Sequence, residues 1–171
     1  WRPAGQDNQG TFLSVAVAPN FSSSNLVMAG SAEGGLYIST NKGDTYDIRK
    51  FDRRTVRDIW FSPQFGTDGT VYAAVDNFLY KSTNGGANFD PMAYAPGSQQ
   101  FPAPVRRVLT SPNYHNTDND LWVVVEGLGA FYHDYDGDLG AAGWQYTGPV
   151  LRPWMYDMAI ALYEKGLELA P

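Results

Sequence analysis

Short apolar runs alternate along this chain with polar stretches rich in glycine and proline, and the runs recur in a fixed order. Three of them close on a proline: LSVAVAPNF (13–21), RDIWFSPQF (57–65) and RVLTSPNY (107–114). Pro19, Pro63 and Pro112 lie 44 and 49 residues apart, and two residues after each comes an aromatic, Phe21, Phe65 or Tyr114. A second apolar run follows in each unit (26–31, 71–76, 121–127), then a third (36–40, 79–83, 130–134), then a shorter fourth (45–51, 88–94, 144–148). The second runs are almost continuously apolar, as expected of strands covered on both faces. Four short strands in a unit of roughly 40–50 residues predict an all-β fold built as a β-propeller of four-stranded antiparallel blades. The expected blades span about 12–55, 56–104 and 105–153, with the start of a further blade at 154–171. In that last stretch Met158–Ala159–Ile160–Ala161–Leu162 reads as a first strand and Leu167–Glu168–Leu169 as the beginning of a second; a helix over 155–169 is the rival reading.

The turn between the third and fourth runs carries the sharpest motif. It reads STNKGDTY at 39–46 and STNGGANF at 82–89, a spacing of 43 residues. Ser39, Asn41, Ser82 and Asn84 can bond nearby backbone N–H groups. Gly43 and Gly86 can take a positive φ without a Cβ clash. Tyr46 and Phe89 can plug the turn against the blade. A third, drifted copy runs through Asp134, Asp136 and Gly137 to Trp144.

This motif resembles the Asp-box (BNR-like) repeat, Ser-x-Asp-x-Gly-x-x-Trp, with Asn for Asp and Tyr or Phe for Trp. Proteins built from it include sialidases, xyloglucan-type glycoside hydrolases, the sortilin propeller, photosystem assembly factors and many bacterial exported proteins; the last group is the most similar. The resemblance covers nearly the whole chain and implies fold more than activity, since one repeat serves several functions. It implies an extracytoplasmic location, and a binding module or scaffold for protein or glycan partners, not catalytic itself. A glycoside hydrolase of the xyloglucanase or sialidase-like type is one alternative, and a self-assembling surface protein that binds further copies of itself is another.

Composition narrows these options. A net charge of −6 argues against a nucleic-acid partner, which calls for a basic face. With no cysteine, disulfides and thiolate metal sites are excluded. No apolar run approaches the roughly 18 residues of a transmembrane helix. The chain opens on Trp1 instead of Met, so residues upstream are expected, and Trp1–Arg2–Pro3 reads as the close of a preceding blade. About three and a half blades fall short of the six to eight that usually close such a ring. A longer protein, or a second subunit, is therefore expected to complete it.

Candidate chemistry is sparse. Glycoside hydrolysis needs two carboxylates across a bond. Asp58 and Asp157 open equivalent first strands, and Trp60 beside Asp58 would suit sugar stacking; the simpler reading is a loop acid paired with Arg57 or Arg54. Asp134, Asp136 and Asp138 could hold an incidental calcium ion, or belong only to the drifted turn. No other cofactor is expected. Arg49, Arg53, Arg54 and Arg57, with Arg106 and Arg107 one blade later, form a candidate partner-binding patch, against which stands a solvated loop paired with Asp47, Asp52 and Asp58. His115 and His133 stand alone and are expected at the surface; no Ser-His-Asp set is apparent. Asn20–Phe21–Ser22 is a formal glycosylation sequon.

Overall fold

The computed structural model describes residues 10–95, 97–112, 114, 120–133 and 144–147. They form three four-stranded antiparallel sheets, each a meander in chain order. The first holds β1 (Phe12–Val17), β2 (Val27–Ser31), β3 (Gly35–Ser39) and β4 (Ile48–Lys50). The second holds β5 (Val56–Phe61), β6 (Val71–Val75), β7 (Phe78–Ser82) and β8 (Asp90–Pro91). The third holds β9 (Val105–Thr110), β10 (Leu121–Val125), β11 (Gly129–His133) and β12 (Trp144–Tyr146). Every strand coincides with one of the apolar runs. Valine, isoleucine and aromatic side chains dominate them because such residues pack well on a pleated surface. β8 contains Pro91, tolerable there because β8 is an edge strand.

The three sheets share one register. Val17, Phe61 and Thr110 pair with Val27, Val71 and Leu121, which pair in turn with Ser39, Ser82 and His133. Each first strand also carries a bulge at the same place. Phe12 pairs Ser31 and Ser14 pairs Gly30, so Leu13 has no partner. Arg57 is skipped likewise between Val56 and Asp58, and Arg106 between Val105 and Arg107. A bulge adds one residue and increases local twist.

The segment between first and second strands also recurs. After Pro19 and Pro63 come four-residue helical turns, α1 (Phe21–Ser24) and α2 (Phe65–Asp68). Left-handed Asn25 (φ 53°) and Gly69 (φ 61°) end them, their N–H groups donating to the Phe21 and Phe65 carbonyls.

The first strands pack side by side, β5 against β1 and β2, and β9 against β5 and β6. One core cluster lies between the first two sheets, with Met28, Leu36, Ile38, Phe61 and Phe65. The other lies between the second and third, with Tyr72, Leu79, Val108, Val123 and Phe131. β2 and β6 are buried throughout, as their unbroken apolar runs anticipate, whereas β10 leaves Val124 exposed. Among the described residues no helix is long and apolar enough to cross a membrane.

Candidate functional site

The two turns STNKGDTY (39–46) and STNGGANF (82–89) have the same hydrogen-bond network. The Ser39 hydroxyl accepts from the Gly43 N–H at 2.9 Å and donates to Asn41 Oδ1 at 2.8 Å; Asn41 Oδ1 accepts from the Thr45 N–H at 3.0 Å. In the second copy Ser82 accepts from Gly86 at 3.0 Å and donates to Asn84 at 2.9 Å, and Asn84 accepts from the Asn88 N–H at 2.9 Å. Gly43 and Gly86 have φ of 88° and 90°, which makes glycine the fitting residue. A further backbone bond ties each turn to the end of the helical turn below it, Lys42 N–H to the Asn25 carbonyl and Gly85 N–H to that of Gly69. The polar side chains of these turns thus serve backbone closure. Of the aromatics that close these turns, Phe89 packs against Phe51 with tilted rings, centroids 5.2 Å apart, and Tyr46 is partly buried, which raises its hydroxyl's pKa.

Register places His133 where the other sheets have Ser39 and Ser82, so the third copy departs from the motif at its first residue. His133 is buried beside Trp144, their rings 5.1 Å apart, contrary to the expectation of a surface histidine. Trp144 Nε1 donates to the Ala93 carbonyl at 3.0 Å, pinning the third sheet to the second. Asp134, Asp136, Gly137, Asp138, His115, Asp157 and the 154–171 segment with its two rival readings lie outside the described residues, as do Trp1, Arg2 and Pro3. Among the described residues no cluster of His, Cys, Asp or Glu could hold a metal ion.

Asp58 lies on β5, the first strand of the middle sheet, and is only 5% exposed. One carboxylate oxygen accepts from the Val108 N–H at 2.9 Å, and the other lies 3.5 Å from Arg107 Nη1. Its partner is therefore across the sheet junction, not Arg57 or Arg54 as the sequence suggested. Burial pushes its pKa up, opposed by the Val108 N–H, the Arg107 charge and the Ile59 N–H. Trp60 is packed against the core between the second and third sheets, its indole N–H donating to Thr110 Oγ1 at 3.0 Å. Both residues join β5 to β9.

The arginines divide. Arg54 is bound to Asp76 at 2.8 Å and to the Tyr80 hydroxyl at 2.6 Å, over the Phe78 ring. Arg49 lies over Tyr37 and 3.4 Å from Asp52, and Arg106 pairs with Glu126. Arg53 is exposed, in a left-handed conformation (φ 60°). Arg107 keeps its side chain 71% exposed despite its long contact to Asp58. Arg57, a bulge residue, has buried Nε and Nη1 atoms with no hydrogen-bond acceptor. Sequence reasoning missed that Arg57 and Arg106 are two of the three bulge residues; the paired polar residues Arg57–Asp58 and Arg106–Arg107 opening two first strands were the visible trace.

Comparison with protein-family models returns no matching family, and comparison with curated proteins returns no matching relative.

Proposed function

We propose that this protein is a non-catalytic, extracytoplasmic scaffold or binding module of the Asp-box β-propeller type, presenting rigid loops to a protein or glycan partner. In this reading each sheet is a blade, and the neighbouring first strands β1, β5 and β9 line the ring axis. A register repeated three times, bulge included, supports it. The observation that carries the non-catalytic reading is the engagement of Asp58: both its oxygens face donors of the next sheet, where they fix blade to blade. Of the arginine patch, exposed Arg53 and the largely exposed Arg107 remain to meet an anionic group on a partner.

The test is binding set against turnover. Purified protein is incubated with xyloglucan oligosaccharides and with a sialoside reporter, and screened for binding to immobilised glycans and acidic peptides. Saturable binding weakened by Arg107→Glu, without turnover, is the expected outcome. Sustained hydrolysis that disappears in Asp58→Asn would overturn the proposal.

A further inference from the structure

The turns 39–46 and 82–89 share their hydrogen bonds but differ at the residue after the asparagine, Lys42 in the first and Gly85 in the second. Asn84–Gly85 is the single Asn–Gly pair in the chain. Glycine leaves such an asparagine open to attack, because a backbone nitrogen with no Cβ beside it can approach the asparagine Cγ. Asn84 is exposed, so water reaches it as well.

The hydrogen bonds favour the same reaction. Asn84 Oδ1 accepts from the Ser82 hydroxyl and from the Asn88 N–H, each at 2.9 Å. Two donors on this oxygen polarise the carboxamide and stabilise the negative charge that builds there when a nucleophile adds. The leaving group differs between the turns. Asn41 Nδ2 donates to Thr45 Oγ1 at 2.9 Å, whereas the second turn has Asn88 at that place and both side-chain bonds of Asn84 end on Oδ1. One restraint is common to both. The Gly85 N–H donates to the Gly69 carbonyl and the Lys42 N–H to that of Asn25, so each nitrogen must first leave that bond. This slows both turns and does not distinguish them.

We propose that Asn84 is a site of spontaneous deamidation in the folded chain, with aspartate as its product. The Gly85 nitrogen adds to Asn84 Cγ. The Cγ–Nδ2 bond then breaks, and ammonia leaves with the proton that the Gly85 nitrogen gives up. Water opens the resulting five-membered imide at Cγ, which restores the Gly85 N–H and leaves a carboxylate. One water is consumed and one ammonia released, with no oxidant or reductant. Opening at the other carbonyl gives isoaspartate, whose backbone is one atom longer and draws Gly85 and Gly86 off their bonds to Gly69 and Ser82. Aspartate keeps every bond of the turn, and a charged acceptor makes them stronger. The reaction adds one negative charge to the net −6 and tightens the turn whose Gly86 lies against Met28 of the first sheet. It proceeds whether or not the sheets are blades of a ring.

The experiment ages the purified chain in mildly alkaline buffer, folded and unfolded in guanidinium, and maps its peptides by mass spectrometry with aspartate and isoaspartate distinguished. Gly85→Lys is the control. Lys42 already holds a φ of 68° where Gly85 has 73°, and a Cβ at Gly85 meets only a Phe65 ring carbon at 4.0 Å, so the variant fits this backbone. Folded wild type is expected to convert at Asn84 about tenfold faster than at Asn41, chiefly to aspartate, and Gly85→Lys to slow that conversion about tenfold. Asn84→Asp, which makes the product directly, should unfold at a higher guanidinium midpoint than wild type. The proposal is overturned if Asn84 stays intact in the folded chain while the unfolded chain converts. Equal rates at Asn41 and Asn84, or a Gly85→Lys chain that converts as fast as wild type, overturn it too. Isoaspartate as the main product, or a lowered midpoint in Asn84→Asp, overturns the assignment of aspartate.

Discussion

Between the first and second sheets the contact is made by Met28, Ile38, Phe61 and Phe65, with Gly30 and Gly86 letting backbone and side chain come close. Between the second and third sheets the same positions carry hydrogen bonds: Asp58 to the Val108 N–H, Trp60 to Thr110, and the Tyr72 and Tyr114 hydroxyls to each other. Register is common to both junctions while chemistry is not. The repeat is therefore held by backbone pairing and turn closure, and the surface between sheets is free to be oily or polar provided volume and hydrogen bonds are satisfied.

The largest effect should come from filling the apolar junction. A Cβ at Gly30 would lie 2.5 Å from the Val56 carbonyl oxygen, which is backbone and cannot step aside cheaply. Gly30→Val should cost ~3 kcal/mol, read from urea midpoints. At the equivalent position of the other junction stands Ala74, already accommodated. A midpoint unchanged in Gly30→Val would mean that the first junction is loosely packed.

Next come the turns. Ser82→Ala strands the Gly86 and Asn84 N–H groups and should cost about 1–2 kcal/mol. Its turn is also part of the first junction, since a Cβ at Gly86 would meet Met28. Ser39→Ala, with the same bonds lost, should therefore cost less. Equal losses would separate turn closure from junction packing.

The polar junction is best examined by a double-mutant cycle on Trp60→Phe and Thr110→Val, with a coupling of about 1 kcal/mol expected from thermal unfolding. Coupling near zero would reduce that bond to decoration on a junction held by packing.

The smallest effect concerns pH. Burial raises the pKa of Asp58, so the folded chain holds this proton more readily than the unfolded one. The associated stability is complete below the ordinary carboxylate range and is lost as pH rises through the raised value. The stability of wild type minus that of Asp58→Asn should thus fall as pH rises above the ordinary carboxylate range. A rising difference would show that Arg107 and the Val108 N–H outweigh desolvation.

The strands were legible because each is a short apolar run fenced by turn residues, and the turns because Ser, Asn and Gly recur at one spacing. Ends were less so: the fourth run of the second unit reads as seven residues, yet only Asp90–Pro91 pair, because Pro91 lacks an N–H and the strand is an edge. The helical turns after Pro19 and Pro63 were not foreseen, four residues being too few for a helical period. The partner of Asp58 was hidden because it stands 49 residues away in Arg107, and sequence favours near neighbours such as Arg57 and Arg54. His133 was misplaced to the surface because the sequence after it does not repeat the turn motif, which concealed its equivalence to two buried serines.

The bulge in every first strand has one more consequence. Leu13, Arg57 and Arg106 face no opposite residue in the ladder, so what stands there is nearly uncoupled from strand pairing. Three positions at matched stations can be rewritten without disturbing the ladder, most freely at exposed Leu13 and less so at Arg106, which pairs with Glu126, and at Arg57, whose Nε and Nη1 are buried. A lineage, or an engineer, could retarget the row of first strands there without redesigning a sheet.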